Sequence, residues 1–236
     1  MINAFTVDLE TWFSNFHNTI PISDWDRTPH RVVEPTVKLL DMLDQNNNKG
    51  TFFILGWVAE QVPDLIKEIH ERGNEIAIHS YHHKYLTDSN SDEMREDLDL
   101  AFNAIHKAVN CRIYGYRAPV FTITQETMWA LDVLKEYGFK YDSSIYPFKM
   151  HPDYGIKDHS LEIYRHNNGI VEVPMSCVEY MGKRIPISGG GYFRLYPYTF
   201  YRKFIRKIHK EGRPLIFYTH PWEIDTKHPR VKLGLV

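Results

Sequence analysis

Short apolar runs recur along the chain, separated by longer stretches in which apolar residues return every three or four positions. The short runs are Ala4–Val7, Thr51–Leu55, Glu75–Ile78, Arg112–Tyr116, Phe139–Asp142, Ile170–Val173 and Leu215–Thr219. Their length and apolar character predict strands. The longer stretches predict five helices. The first runs from about Val32 to Asp44 and stops at the turn cluster Asn46–Gly50. The second follows Pro63-Asp64 and ends at Gly73, a residue type that commonly closes a helix. The third starts near Ser91-Asp-Glu93 and carries the stripe Met94, Leu98, Ala101, Phe102, Ile105 and Val109. A fourth is expected from an N-cap at Thr124 to Gly138, and a fifth from about Tyr198 to Glu211, between Pro197 and Gly212.

Alternating strands and helices predict an α/β fold with a parallel sheet, open or closed into a barrel. Two segments lack a clear period, Tyr146–Gly169 and Met175–Leu195. Stretches of that length in a compact fold are expected to cover or wall a site. With no linker, repeat or low-complexity tract, residues 1–236 read as a single domain.

Composition adds mainly exclusions. A hydrophobic content of 43% and a charged content of 25% suit an ordinary globular chain. The formal net charge of −2 gives no reason to expect nucleic acid or an anionic membrane as partner. No apolar run approaches the roughly 18 residues of a membrane span. Cys111 and Cys177 are scattered, which predicts reduced thiols. The first strand begins too early for a secretory leader, so a cytoplasmic location is expected.

The candidate chemistry gathers at strand ends. His79-Ser-Tyr-His-His83 places two imidazoles four positions apart after Asn74–Ile78, and on a helix such residues would share one face. Asp8 and Glu10 end the first strand, Arg117 follows the fourth, Asp142 ends the fifth and His220 follows the last. In α/β barrels the active site is built at the C-terminal strand edge. Two histidines and a carboxylate leave positions open for water and substrate, as a catalytic metal site needs. A second carboxylate is suited to take a proton, an opposing histidine to give one, and Arg117 to hold a carboxylate through its fork of donors. The set describes amide or ester hydrolysis. His82 reads as a bystander, and Gly189-Gly190-Gly191 either admits a sugar closely or permits a tight turn.

The chain resembles the polysaccharide deacetylase (NodB homology, carbohydrate esterase family 4) superfamily. Within it, the deacetylase-like proteins of bacterial exopolysaccharide loci are the most similar. The resemblance rests on Thr6-Val-Asp-Leu-Glu10, Thr51–Trp57, Gly115-Tyr-Arg-Ala-Pro119, Tyr141–Ile145, Gly189–Arg194 and His220-Pro-Trp-Glu-Ile-Asp225. It implies a distorted (β/α)7 barrel and removal of N-acetyl groups from an amino sugar in a polysaccharide or its lipid-linked precursor. It also implies one divalent metal ion, zinc by default, with cobalt, nickel or iron(II) compatible. By resemblance Asp8 is the base, and Glu10 takes the place of a metal-binding acid because Leu9 replaces the usual aspartate. His79 and His83 are the metal histidines, Arg117 orients the base, and the Val120 N–H helps to hold the oxyanion. Asp142 is the carboxylate that polarises the acid histidine, His220. Tyr192, Arg194 and Trp222 are candidates for a saccharide wall. Two alternatives stay open: hydrolysis of a cyclic or small amide, with or without metal, and a saccharide-binding protein without catalysis.

Overall fold

The computed structural model of the protein describes residues 2–148, 154–157 and 159–229. Every apolar run of the sequence forms a strand: β1 (Ala4–Leu9), β2 (Thr51–Ile54), β3 (Glu75–Ile78), β4 (Gly115–Tyr116), β5 (Tyr141–Asp142), β7 (Val171–Glu172) and β10 (Ile216–Thr219). They pair in the order β10-β1-β2-β3-β4-β5-β7, all parallel. A short strand that the sequence pattern misses, β6 (Tyr164–Arg165), adds antiparallel beside β7. The sheet curls into a distorted α/β barrel whose edge strands, β10 and β6, are not hydrogen-bonded to each other. Strand residues such as Val7, Leu9, Phe52, Ile54, Ile76 and Ile78 are buried, as expected where helices cover a parallel sheet.

The connecting helices are α1 (Val33–Gln45), α2 (Gly56–Gln61), α3 (Pro63–Glu71), α4 (Ser91–Ala108), α5 (Ala130–Glu136), α6 (Gly190–Leu195) and α7 (Tyr198–Lys210). α4 begins at a capping box in which Asn90 accepts from the Asp92 and Glu93 N–H groups and Glu93 returns a bond to the Asn90 N–H. Its buried residues include Met94, Leu98, Ala101 and Ile105 of the predicted stripe. α2 escapes the sequence pattern because it is barely more than one turn long. It packs so tightly on α4 that a Cβ on Gly56 would lie 2.8 Å from the Ala101 Cα.

α5 starts five residues later than the Thr124 cap predicts, with Trp129 at the N-cap instead. The Thr127 hydroxyl donates to the Thr122 carbonyl and accepts from the Thr124 N–H, so side chains bind backbone that a helix would have used. The second aperiodic segment contains a hairpin, β8 (Cys177–Tyr180) with β9 (Lys183–Pro186), and then α6. Cys111 and Cys177 are both unpaired. Among the described residues, no helix is long and apolar enough to cross a membrane.

Candidate active site

Parallel pairing brings the C-terminal strand ends to one rim. Asp8 lies within β1 and Glu10 directly after it, His79 follows β3, Arg117 follows β4, Asp142 ends β5 and His220 follows β10. Alternation along an extended strand sends Asp8 and Glu10 to the same side, with Leu9 buried opposite. A cleft of about 290 Å³ opens here, lined by Asp8, Asn15, His79, His83, Val120, His220 and the rings of Tyr85, Phe121, Tyr154 and Tyr218.

Glu10, His79 and His83 offer ligand atoms that all lie within 4.8 Å of one another, and all three residues are buried. The histidines do not share a helical face. They sit on a loop in which Ser80 (φ 66°) and His83 (φ 57°) adopt left-handed backbone. The Ser80 hydroxyl accepts from the His83 N–H at 2.9 Å, and Asp97 on α4 accepts from the Tyr81 and His82 N–H groups at 2.7 and 3.1 Å. Asp97 is thus an anchor of the loop that the sequence pattern assigns only to a helix surface.

These residues fit a divalent ion. His79 Nδ1 lies 2.8 Å from the Arg117 carbonyl, which accepts only from an N–H, so Nε2 turns its lone pair toward Glu10 and His83. Glu10 Oε1 accepts from Trp222 Nε1 at 3.1 Å and Asn15 Nδ2 at 3.2 Å. Its Oε2 is buried without a hydrogen-bond partner, although His83 Nε2 is 2.6 Å away. Two acceptor atoms so close need a proton or a metal ion between them. Burial opposes ionisation of Glu10, but the neighbouring His83, His220 and His79 hold its carboxyl at about 2. Burial, only partly offset by Asp8 and Glu10, lowers the His79 imidazole to about 4, which keeps it a neutral ligand.

Across the cleft, Arg117 fixes Asp8. Its Nη1 donates to Asp8 Oδ1 at 2.6 Å and to the Thr6 hydroxyl at 2.9 Å. The rest of the fork goes to Ser143, Nε to its carbonyl and Nη2 to its hydroxyl, both at 3.0 Å, and the guanidinium lies over the Phe53 ring at 4.0 Å. Asp8 Oδ2 remains 4.0 Å from His220 Nε2. Burial works against a charged His220, but the hydrogen bond it donates to Glu223 and the charges of Glu10 and Asp8 raise its imidazole above the usual range.

The carboxylate behind His220 is Glu223, not Asp142. His220 Nδ1 lies 2.8 Å from Glu223 Oε1, which also accepts from the His220 N–H in the turn Pro221–Ile224. The sequence places Glu223 in the loop carrying the acid, but its direct role depends on the local 3-10 turn. Asp142 is occupied elsewhere: Ser144 donates to it from its N–H at 3.0 Å and its hydroxyl at 2.6 Å. The same hydroxyl accepts from the Ala118 N–H at 2.7 Å. Asp142 therefore braces the turn at Pro119–Phe121. There Val120 (φ 52°) and Phe121 (φ 55°) adopt left-handed backbone, a strain that tends to gather at functional sites.

Three expected wall residues stand apart from the cleft lining. Trp222 stacks on His220, ring centroids 4.7 Å apart, while holding Glu10. Arg194 pairs with Glu223. Tyr192 lies among Tyr146 and Tyr196. Of the glycine triplet, Gly190 is required by Glu223, whose Oε2 would lie 2.1 Å from an added Cβ. The close approach is made by a side chain of the chain itself.

Behind the rim, Asp142 and Glu172 form a buried carboxyl pair. Burial, then the charge of Glu172, pushes Asp142 well up, and burial raises Glu172 to about 7. Raised carboxyls mean that the native state holds more protons than the unfolded chain between about pH 4.5 and 7. Their contribution is full below that window and is lost as pH rises through it. The wild type is expected to lose several degrees more in Tm than Glu172→Gln between pH 5 and pH 8, at about 2–4 °C per kcal/mol. Parallel losses of Tm with pH for the two proteins would refute a raised Glu172 carboxyl.

Comparison with known proteins agrees with this geometry. The family model described as polysaccharide deacetylase matches residues 23–141, half of the chain. The chain belongs to the polysaccharide deacetylase family. A domain of unknown function (DUF3473) matches residues 143–236, and strands from both segments share the one sheet. The peptidoglycan-N-acetylmuramic acid deacetylase PdaA of Bacillus subtilis is 30% identical over 105 residues, 44% of this chain and 39% of that protein. A peptidoglycan-N-acetylglucosamine deacetylase of Bacillus cereus is 44% identical over 66 residues, 28% of this chain and 24% of that protein. The matched segments thus span well under half of these relatives. A Mycobacterium smegmatis structure assigned as a polysaccharide deacetylase superimposes with a TM-score of 0.67 at 26% identity, covering 92% of this chain and 76% of the other. The family is thus shown, and the matched relatives carry deacetylase names.

Proposed function

We propose that this protein is a metal-dependent deacetylase and acts on an N-acetylated amino sugar in a bacterial polysaccharide or its lipid-linked precursor. The observation that carries the metal dependence is the buried convergence of the Glu10 carboxylate and the His79 and His83 imidazoles, with ligand atoms all within 4.8 Å of one another. Glu10, His79 and His83 would hold one divalent ion, with zinc the default and cobalt, nickel or iron(II) compatible with the donor set. When bound, such an ion polarises an acyl oxygen and lowers the pKa of water.

The chain's own residues supply the proton transfers. Asp8, pinned through Oδ1 by Arg117, keeps Oδ2 toward the cleft to take a proton from the attacking water. His220, held by Glu223 and Trp222, faces Asp8 and delivers a proton to the departing amine nitrogen. The N–H of Val120, on a turn braced through Ser144 and Asp142, would donate to the developing oxyanion. The rings of Tyr85, Phe121, Tyr154 and Tyr218 line the cleft and would give a sugar flat apolar faces.

The deciding assay measures acetate released from chito-oligosaccharides and from peptidoglycan fragments by zinc-loaded protein. Release of one acetate per free amine formed supports the reading. Turnover of a cyclic amide without acetate would replace it with ring opening. Saccharide binding with no turnover would leave only a binding protein.

A further inference from the structure

The net charge of −2 conceals a strongly uneven surface. α7, Tyr198–Lys210, carries Arg202, Lys203, Arg206, Lys207 and Lys210 and no acidic residue. Its apolar stripe, Tyr201, Phe204 and Ile208, is buried against the fold. The helix therefore presents its basic side outward. Lys207 is paired with Glu211 at 2.8 Å. Arg202, Lys203, Arg206 and Lys210 are exposed and have no acidic partner among the described residues.

Large apolar side chains project beside these cations. Leu195 is 69% exposed, Tyr198 64%, and Met181, at the tip of the β8–β9 hairpin, 86%. Phe193, Phe200 and Tyr180 are exposed as well. Packing beneath them joins the three elements into one surface. Phe204 of α7 meets Tyr180 of the hairpin and Tyr196 at the end of α6, each at 5.9 Å, and Tyr201 meets Phe193 of α6 at 5.1 Å. Arg202 lies over the Tyr198 ring at 5.8 Å and Lys203 over Phe200 at 5.3 Å.

We infer that α7, the end of α6 and the hairpin tip form a docking surface for an anionic lipid bilayer. Unpaired cations match acidic headgroups, and protruding leucine, methionine and aromatic side chains match the boundary just below them. An acidic glycan would use the cations and rings but gains little from Leu195 and Met181. The surface also borders the catalytic rim, because Arg194 of α6 pairs with Glu223, which holds His220. A docked chain would open its cleft near saccharides carried at the membrane.

The test is co-sedimentation of the full chain with vesicles of phosphatidylcholine alone or with one-third phosphatidylglycerol. Binding is expected only to the acidic vesicles, and to weaken between 0.1 and 0.5 M NaCl as the charges are screened. Each basic residue near such a surface strengthens binding about fivefold, so R202Q/R206Q/K210Q should lower partitioning by about 100-fold. These side chains are exposed and unpaired, so the variant keeps its Tm. Leu195→Ser with Met181→Ser should weaken binding without changing its salt dependence. Equal binding to both vesicles, or no loss in the triple variant, overturns the inference. So does a soluble acidic polysaccharide that displaces the chain from vesicles at equal charge, or a dimer that the triple variant dissolves and vesicles do not. Sedimentation is read without turnover, so its outcome is separate from that of the acetate assay.

Discussion

The double variant His79→Ala/His83→Ala is expected to lose its bound metal and its acetate release together. Removing both imidazoles leaves Glu10 as the single remaining ligand of the cluster. One carboxylate does not hold a divalent ion against desalting, whereas two imidazoles and a carboxylate form a catalytic type of site. Metal content measured by plasma mass spectrometry after zinc loading should be about one equivalent for the wild type and near zero for the variant. Both histidines are buried, so circular dichroism must accompany the measurement to show that the fold survives. A folded variant that keeps its equivalent would place the metal elsewhere. A wild type that never retains metal would remove metal from the mechanism altogether.

Asp8→Asn is expected to separate proton transfer from metal binding. Asparagine keeps the shape and the acceptor oxygen that Arg117 Nη1 uses at 2.6 Å, but it does not take a proton. Loss of a general base lowers kcat by about 10²–10⁴-fold, while the ligand cluster stays intact. The variant should therefore bind one equivalent of zinc and turn over at least a hundredfold more slowly, with KM little changed. Arg117 is fully buried and would lose its anionic partner, so a lower Tm is also expected. A kcat within a few-fold of the wild type would shift the base to another group, and Glu10 would be the next to test.

The sequence by itself determined the seven parallel strands, because buried strands must be apolar and their runs are short and separate. It also determined which chemical groups stand at the rim. In a parallel sheet every strand ends at the same edge, so Asp8, Glu10, His79, Arg117 and His220 converge once the strands pair. The details of partnership were decided by tertiary structure. Glu223 displaces Asp142 behind His220 because a 3-10 turn folds it back, while Ser144 occupies Asp142. Asp97 reaches back to the histidine loop from the second turn of α4, and Trp222 crosses to Glu10, 212 residues away in sequence. The short elements β6, α2 and α6 were equally illegible, since two to six residues are too few to show a period. Spacing along the chain records which face a side chain takes; which neighbour it meets is set only when distant elements pack.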